Sequence, residues 1–230
     1  MPHPATLAIL GTNTGVGKTH VGARCVRALS AEPHHLRVAA FKPLESGVRP
    51  DEPGDAGMLR EAAGARHPLE LVRPWALPRP VTPAEELERT GTRCGVRTLR
   101  AARDRIAADS DLVWFETAGG VLSPLLPHYT CADVAGHLAS AALLIASDEL
   151  GTISLTLSAI EALQRRDVPL LGVLLNRLPA ERQSRAGEAT AAELRNLRWI
   201  QQFQPAVRIF TDPLDDELLA MIVRLATADR

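Results

Sequence analysis

Residues 11–19 read Gly-Thr-Asn-Thr-Gly-Val-Gly-Lys-Thr. They follow a short apolar run at 6–10 and precede Val21, Cys25, Val26 and Leu29, which sit at near-helical spacing. A strand, a glycine loop and a helix in that order aim backbone N–H groups and a helix N-terminus at one point, where phosphate oxygens bind. Gly15 and Gly17, flanking Val16, permit the close approach. Lys18 is placed to neutralise the outer phosphates, and Thr19 to offer its hydroxyl to Mg2+. The common spacing puts glycine at position 12, which is Thr12 here, so the loop is a variant form.

The rest of the chain follows the pattern that this beginning sets. Residues 37–41 read as a second strand that ends at Lys42-Pro43, where proline stops the ladder and leaves Lys42 at the strand's C-terminal edge. Residues 45–93 are rich in Pro and Gly and the least regular, with one helical stretch at 56–63 for which Asp55 is a possible N-cap. A helix at 96–108 feeds a strand at 112–115, which ends at Glu116 and opens into Thr-Ala-Gly-Gly. Thr130 and Asp133 have the spacing of a capping box. Strands at 142–146, 170–175 and 207–210 alternate with helices at 152–166, 187–201 and 214–226. This alternation predicts a single α/β domain over 1–230, a P-loop fold with a mostly parallel sheet covered by helices on both faces. Ligands of such a sheet gather at the strands' carboxyl ends.

Composition narrows the partners. The formal net charge is -1 and the arginines are interleaved with acids, which points to a small-molecule substrate, with no nucleic acid and no membrane surface as partner. Cys25, Cys94 and Cys131 lie far apart without CxxC spacing, so they read as buried free thiols in a reducing compartment. The N-terminus lacks a basic region and a long apolar run, and a cytoplasmic location is expected. Only two of the 26 basic residues, Lys18 and Lys42, are lysine. Where arginine serves every ordinary solvated charge, the lysines mark places that need a compact, rotatable ammonium.

For Mg2+ beside Thr19, one or two carboxylates suffice, because the ion keeps several waters. Glu116, ending an apolar strand, is the stronger candidate and Asp55 the second. Glu85, Glu86 and Asp215 fall in polar runs and read as solvated surface. The seven histidines form no HxxxH or HExxH spacing, and no serine has a GxSxG context, so neither a zinc site nor a serine triad is indicated. Position 13 is Asn, which argues against the partitioning ATPases that carry lysine there.

Taken in order, the segment 11–19, Phe-Lys-Pro-Leu-Glu-Ser-Gly at 41–47, Asp55-Ala56, Glu-Thr-Ala-Gly-Gly at 116–120, Leu-Gly-Thr-Ile at 150–153 and Leu175-Asn176 resemble the dethiobiotin synthetase family. The likeness spans roughly residues 6 to 178, and the pairing of the phosphate loop with the Lys-Pro-x-x-Ser-Gly segment is its specific part. The resemblance implies a homodimeric ligase that uses ATP, Mg2+ and CO2 to close a ureido ring on 7,8-diaminopelargonate. It also implies Lys42 and Lys18 as the catalytic lysines and Ser46 as a substrate contact. Thr19, Asp55 and Glu116 would hold Mg2+. Gly15, Val16, Gly17, Lys18, Thr19, His20, Asp55, Glu116, Thr117, Ala118, Gly119, Asn176 and Arg177 would line the nucleotide. Gly151, Thr152 and Ser154 would receive the substrate carboxylate across the dimer.

The chain departs from the family pattern around that carboxylate site. Asp148-Glu149 stand where a basic residue is usual and Ser154-Leu155 where Asn-His is usual. Two acids there are unfavourable unless they point away. Residues 205–213 also lack the expected glycine and proline arrangement. Two further readings follow: a nucleotide-binding paralogue with altered or lost substrate specificity, and a glutamine-dependent amide ligase. The second would need an amidotransferase domain, for which 230 residues leave no expected room.

Overall fold

The computed structural model describes residues 4–177 and 195–228. Its centre is a six-stranded sheet, made of β1 (Ala5–Gly11), β2 (Val38–Phe41), β5 (Leu112–Glu116), β8 (Ala141–Ser147), β9 (Leu170–Asn176) and β10 (Ile209–Phe210). The order across it is β10-β9-β8-β1-β5-β2, and every pairing is parallel. β1, β2, β5 and β8 are buried at every position, which is why they read as continuous apolar runs rather than alternating ones.

The helices are α1 (Lys18–Ser30), α2 (Gly54–Ala62), α3 (Leu69–Val72), α4 (Pro83–Thr90), α5 (Val96–Ala107), α6 (Cys131–Leu138), α7 (Thr152–Gln164), α8 (Asn196–Phe203) and α9 (Asp216–Thr227). The crossover from β1 through α1 to β2 runs one way across the sheet, and that from β5 through α6 to β8 runs the other way. Right-handed crossovers therefore put α1 and α6 on opposite faces. The chain changes direction at β1, so the crevice for a ligand opens at the carboxyl ends of β1 and its neighbours.

Three sequence expectations need correction. The stretch 45–93 is more ordered than its Pro and Gly content suggested: besides α2 it holds α3, α4 and a parallel pair, β3 (Leu44–Ser46) with β4 (Trp75–Leu77). Asp55 is not the N-cap of α2 but lies inside its first turn, because the carboxylate of Glu45 accepts hydrogen bonds from Asp55 N (2.6 Å) and Ala56 N (3.3 Å). Glu86 is buried rather than solvated, with Arg89 Nε and Nη2 donating to it at 2.8 and 2.7 Å. Cys25 and Cys131 are buried and Cys94 half-buried, all three as free thiols. A two-stranded hairpin, β6 (Pro124–Leu126) with β7 (Tyr129–Thr130), precedes α6. The expected helix at 187–201 is described only from Asn196; the part before 195 lies outside the described residues.

Candidate active site

β1 delivers the glycine loop into the crevice. Thr12 N donates to Ile145 O of β8 (2.9 Å) and Thr117 N donates to Ile9 O (3.1 Å), which ties the loop's two flanks to neighbouring strand ends. Gly17, at φ 90°, is the residue before α1, and no side chain caps that helix. Its first-turn N–H groups therefore have no side-chain acceptor, the condition for taking up an anion. Lys18 is buried and its Nζ donates to Gly119 O (2.8 Å) and Asn13 O (3.3 Å), which places the ammonium between the two glycine loops. Burial lowers the Lys18 pKa; Lys42 adds to this and Glu116 opposes it.

Register explains how Glu116 comes to this place. β5 pairs with β1 so that Glu116 lies opposite Ile9, two residues before the loop begins. Its Oε1 accepts from Thr19 Oγ1 (2.6 Å) and from Lys42 Nζ (2.8 Å). β2 ends on the far side of β5, with Phe41 opposite Phe115, and so carries Lys42 to the same point. Lys42 Nζ also donates to Asp55 Oδ2 (2.5 Å) and lies 3.4 Å from Thr19 Oγ1. The two lysines, far apart in sequence, thus meet one carboxylate-lined centre. Burial alone would lower the Lys42 pKa, but Glu116 and Asp55 overcome it and hold the group above its ordinary value. Asp55 is raised by burial and lowered more strongly by Lys42, so it stays a carboxylate.

The surrounding cavity has a volume of about 830 Å3. Of the residues singled out from sequence, Gly15, Gly17, Lys18, Thr19, His20, Lys42, Ser46, Asp55, Glu116, Thr117, Ala118 and Gly119 line it. Val16, Asn176, Arg177, Gly151, Thr152 and Ser154 do not. Asn176 Nδ2 donates to Val16 O (2.9 Å), so it ties the end of β9 to the glycine loop. Arg177 Nε is 3.5 Å from Asp148 Oδ2, and Asn196 Nδ2 donates to Asp148 Oδ1 (2.9 Å). Ser147 Oγ donates to Glu149 Oε1 (2.7 Å). Asp148 is thus engaged by Asn196 of α8 and lies near Arg177. There Gly151, at φ 92°, leads into a buried Thr152 and an exposed Ser154.

A divalent cation suits the donors around Thr19. They are hard oxygens, and Glu116 Oε2 is buried without a hydrogen-bond partner among the described residues. Ser46 Oγ is likewise buried without a partner at the cavity wall. Sequence reading passed over Glu45, Met58 and the wall at 80–83, which also line the cavity. The Thr82-Pro83 pair that opens α4 was a readable helix start.

The fold and this site define an ATP-dependent P-loop α/β protein. A family model described as an AAA domain matches residues 5–212. The apo McdA structure from Cyanothece aligns with a TM-score of 0.54 at 16% identity, over 97% of this chain and 91% of that one. MinD in its complex with MinC from Aquifex aeolicus aligns with a TM-score of 0.52 at 15% identity, over 97% and 95%. At such identities these two show the fold alone. The ATP-dependent dethiobiotin synthetase of Anaeromyxobacter dehalogenans strain 2CP-C is 39% identical over 175 residues, 76% of this chain and 78% of that protein. The one from Anaeromyxobacter sp. strain Fw109-5 is 34% identical over 213 residues, 88% and 95% of the two chains. The one from Frankia casuarinae is 40% identical over 181 residues, 76% and 72%. The chain belongs to the dethiobiotin synthetase family, a family of ATP-dependent enzymes.

Proposed function

We propose that this chain carboxylates 7,8-diaminopelargonate with CO2 and closes its ureido ring with ATP, as one P-loop ligase domain. The observation that carries the reading is the convergence of Lys18 and Lys42, its only lysines, on one buried centre with Thr19, Asp55 and Glu116.

One amine attacks CO2 and loses a proton, giving a carbamate. A carbamate oxygen attacks the γ-phosphorus, the bond to ADP breaks, and a carbamic-phosphoric anhydride forms. The second amine then attacks the carbonyl carbon and phosphate departs, leaving dethiobiotin. Negative charge grows on carbamate and phosphoryl oxygens at each stage, so fixed cations and N–H donors supply the catalysis. Lys18 and the open first turn of α1 hold the phosphates. Lys42, kept protonated by its two carboxylates, acts as a fixed cation beside the carbamate rather than as a base. Ser46 Oγ supports this reading as a substrate contact, because it is otherwise unpaired.

Thr19, Asp55 and Glu116 would hold Mg2+, which when bound neutralises phosphate charge. His20 and residues 117–119 would line the nucleotide, and so would Val16, Asn176 and Arg177, of which Asn176 is tied to the loop at Val16 O. Gly151, Thr152 and Ser154 lie outside the cavity, which supports their serving the partner subunit of a homodimer.

Purified chain incubated with Mg-ATP, bicarbonate and 7,8-diaminopelargonate should yield dethiobiotin and ADP, read by mass spectrometry. Nucleotide binding without dethiobiotin would overturn the proposal.

A further inference from the structure

Arg73, between α3 and β4, has a side chain only 1% exposed, yet it touches neither the phosphate loop nor the lysines. Its Nη1 donates to Glu45 Oε2 (3.0 Å) and Pro53 O (3.1 Å). Its Nη2 donates to Glu52 O (2.7 Å), Pro50 O (3.2 Å) and Arg49 O (3.3 Å). One guanidinium therefore gathers four carbonyls of the segment that leads into α2. Only a planar fork with several donors can do this, whereas an ammonium on a flexible stem cannot reach such a spread of acceptors.

The partner of Arg73 completes the device. Glu45 Oε1 accepts from Asp55 N and its Oε2 from Ala56 N, so the carboxylate caps α2 from another strand. Glycine at 54 is required by this approach: its φ is +56°, and a Cβ there would sit 2.5 Å from Glu45 Oε1. β3 and β4 pair with Glu45 opposite Ala76, which brings residues 45 and 73 together. These contacts hold the backbone from Arg49 to Ala56, and within that stretch lies Asp55, whose carboxylate meets Lys42 at the cation centre.

We propose that Glu45 and Arg73 are positioning residues for that centre: the buried pair fixes the entry and first turn of α2, and thereby the place of the Asp55 carboxylate. Glu45 borders the cavity but spends its oxygens on Arg73 and two backbone N–H groups, so it acts on ligand only through Asp55. The inference rests on the reading of Asp55 as a ligand of Mg2+.

The test is the affinity of a non-hydrolysable ATP analogue with and without Mg2+, titrated calorimetrically on the full chain without organic substrate. Arg73→Met should lower the affinity in Mg2+ about tenfold, the usual effect of disturbing a residue behind a metal ligand, and change the metal-free affinity less than about twofold. Arg73→Lys should not rescue it. Should Arg73→Met fold poorly, Glu45→Gln keeps the shape, removes the charge and should show the same metal-dependent loss.

In an Asp55→Asn background, either change should add nothing, because positioning has lost its object. Equal losses with and without Mg2+, or losses that add fully to Asp55→Asn, would overturn the proposal and leave the pair a plain stabilising contact. A wild-type chain whose analogue affinity ignores Mg2+ would overturn the Asp55 assignment and this inference with it. The formation of dethiobiotin is judged separately.

Discussion

Lys42 shows how a single residue's surroundings set its chemistry. Its folded pKa lies above the ordinary 10.5, because Glu116 and Asp55 outweigh burial. A group raised in this way contributes stability that is fully present below the unfolded value and is lost only as pH rises through the folded one. Across neutral pH the ammonium therefore stays charged, and the contribution stays constant. Lys42→Arg keeps the charge but replaces a point with a plane. It should lower kcat for ring closure by about a hundredfold or more. Nucleotide affinity should stay within about threefold, because the phosphates are held chiefly by Lys18 and α1. Single-turnover kinetics and a nucleotide titration read the two quantities, and retained turnover would mean that the shape of the cation is immaterial. The cysteines make a second case. Burial pushes the Cys25, Cys94 and Cys131 thiols up to about 12, which leaves almost no thiolate at pH 8. Native protein should resist iodoacetamide at that pH while unfolded protein takes up three labels, counted by intact mass. Lys18, Lys42, Thr19 and Glu116 are legible as cavity residues because each stands at or next to a strand or helix end: Lys18 follows Gly17, Lys42 precedes Pro43, Thr19 follows Lys18 in the first turn of α1, and Glu116 closes β5.

At the scale of elements, legibility depended on whether the determining contact was local. The capping box at the start of α6 was visible because its partners are three residues apart: Thr130 N and Thr130 Oγ1 both donate to Asp133 Oδ2, and Asp133 N donates back to Thr130 Oγ1. The start of α2 is not legible locally because its cap is Glu45, which lies on β3, ten residues before Asp55. α4 has local start and stop signals, Thr82-Pro83 and Gly91 at φ 67°, but they stand among prolines that on their own signal turns. Asp133 has a further role, as its Oδ1 accepts from Arg166 Nε (2.6 Å) and so joins α6 to the end of α7. Burial raises its pKa, but the bonds from Thr130 and Arg166 prevail and hold it below the ordinary 3.8. A carboxylate depressed in this way stabilises the fold above the unfolded pKa, and the effect is lost as pH falls through the folded value. Asp133→Asn should cost about 1 kcal/mol at neutral pH, the usual worth of such a cap. Urea titrations should show the gap between wild type and variant closing as pH falls below 3.8. A gap that does not change with pH would mean that the Asp133 charge contributes nothing.

For the whole molecule, alternation of apolar runs and helical patterns is enough to anticipate a mostly parallel sheet, and every pairing in the six-stranded sheet is parallel. No periodicity reveals whether a loop serves its own chain's cavity or a partner's. The first turn of α7 is absent from the cavity, yet Leu150 and Leu155, which bracket it, are 59% and 47% exposed. The homodimer of the proposed function would bury these two side chains against a second copy and present that turn to the partner's cavity. On this reading the nucleotide half of the site belongs to one chain and the carboxylate half to the other. The two halves should then separate experimentally. Leu155→Asp should turn such a dimer into a monomer in sedimentation velocity and leave nucleotide affinity intact, because neither Leu155 nor the first turn of α7 lines the phosphate pocket. Turnover should fall about a hundredfold, since the substrate would lose the group that orients its far end. A monomeric variant with full turnover would place the carboxylate site within one chain, and an active monomeric wild type would do the same without any mutation.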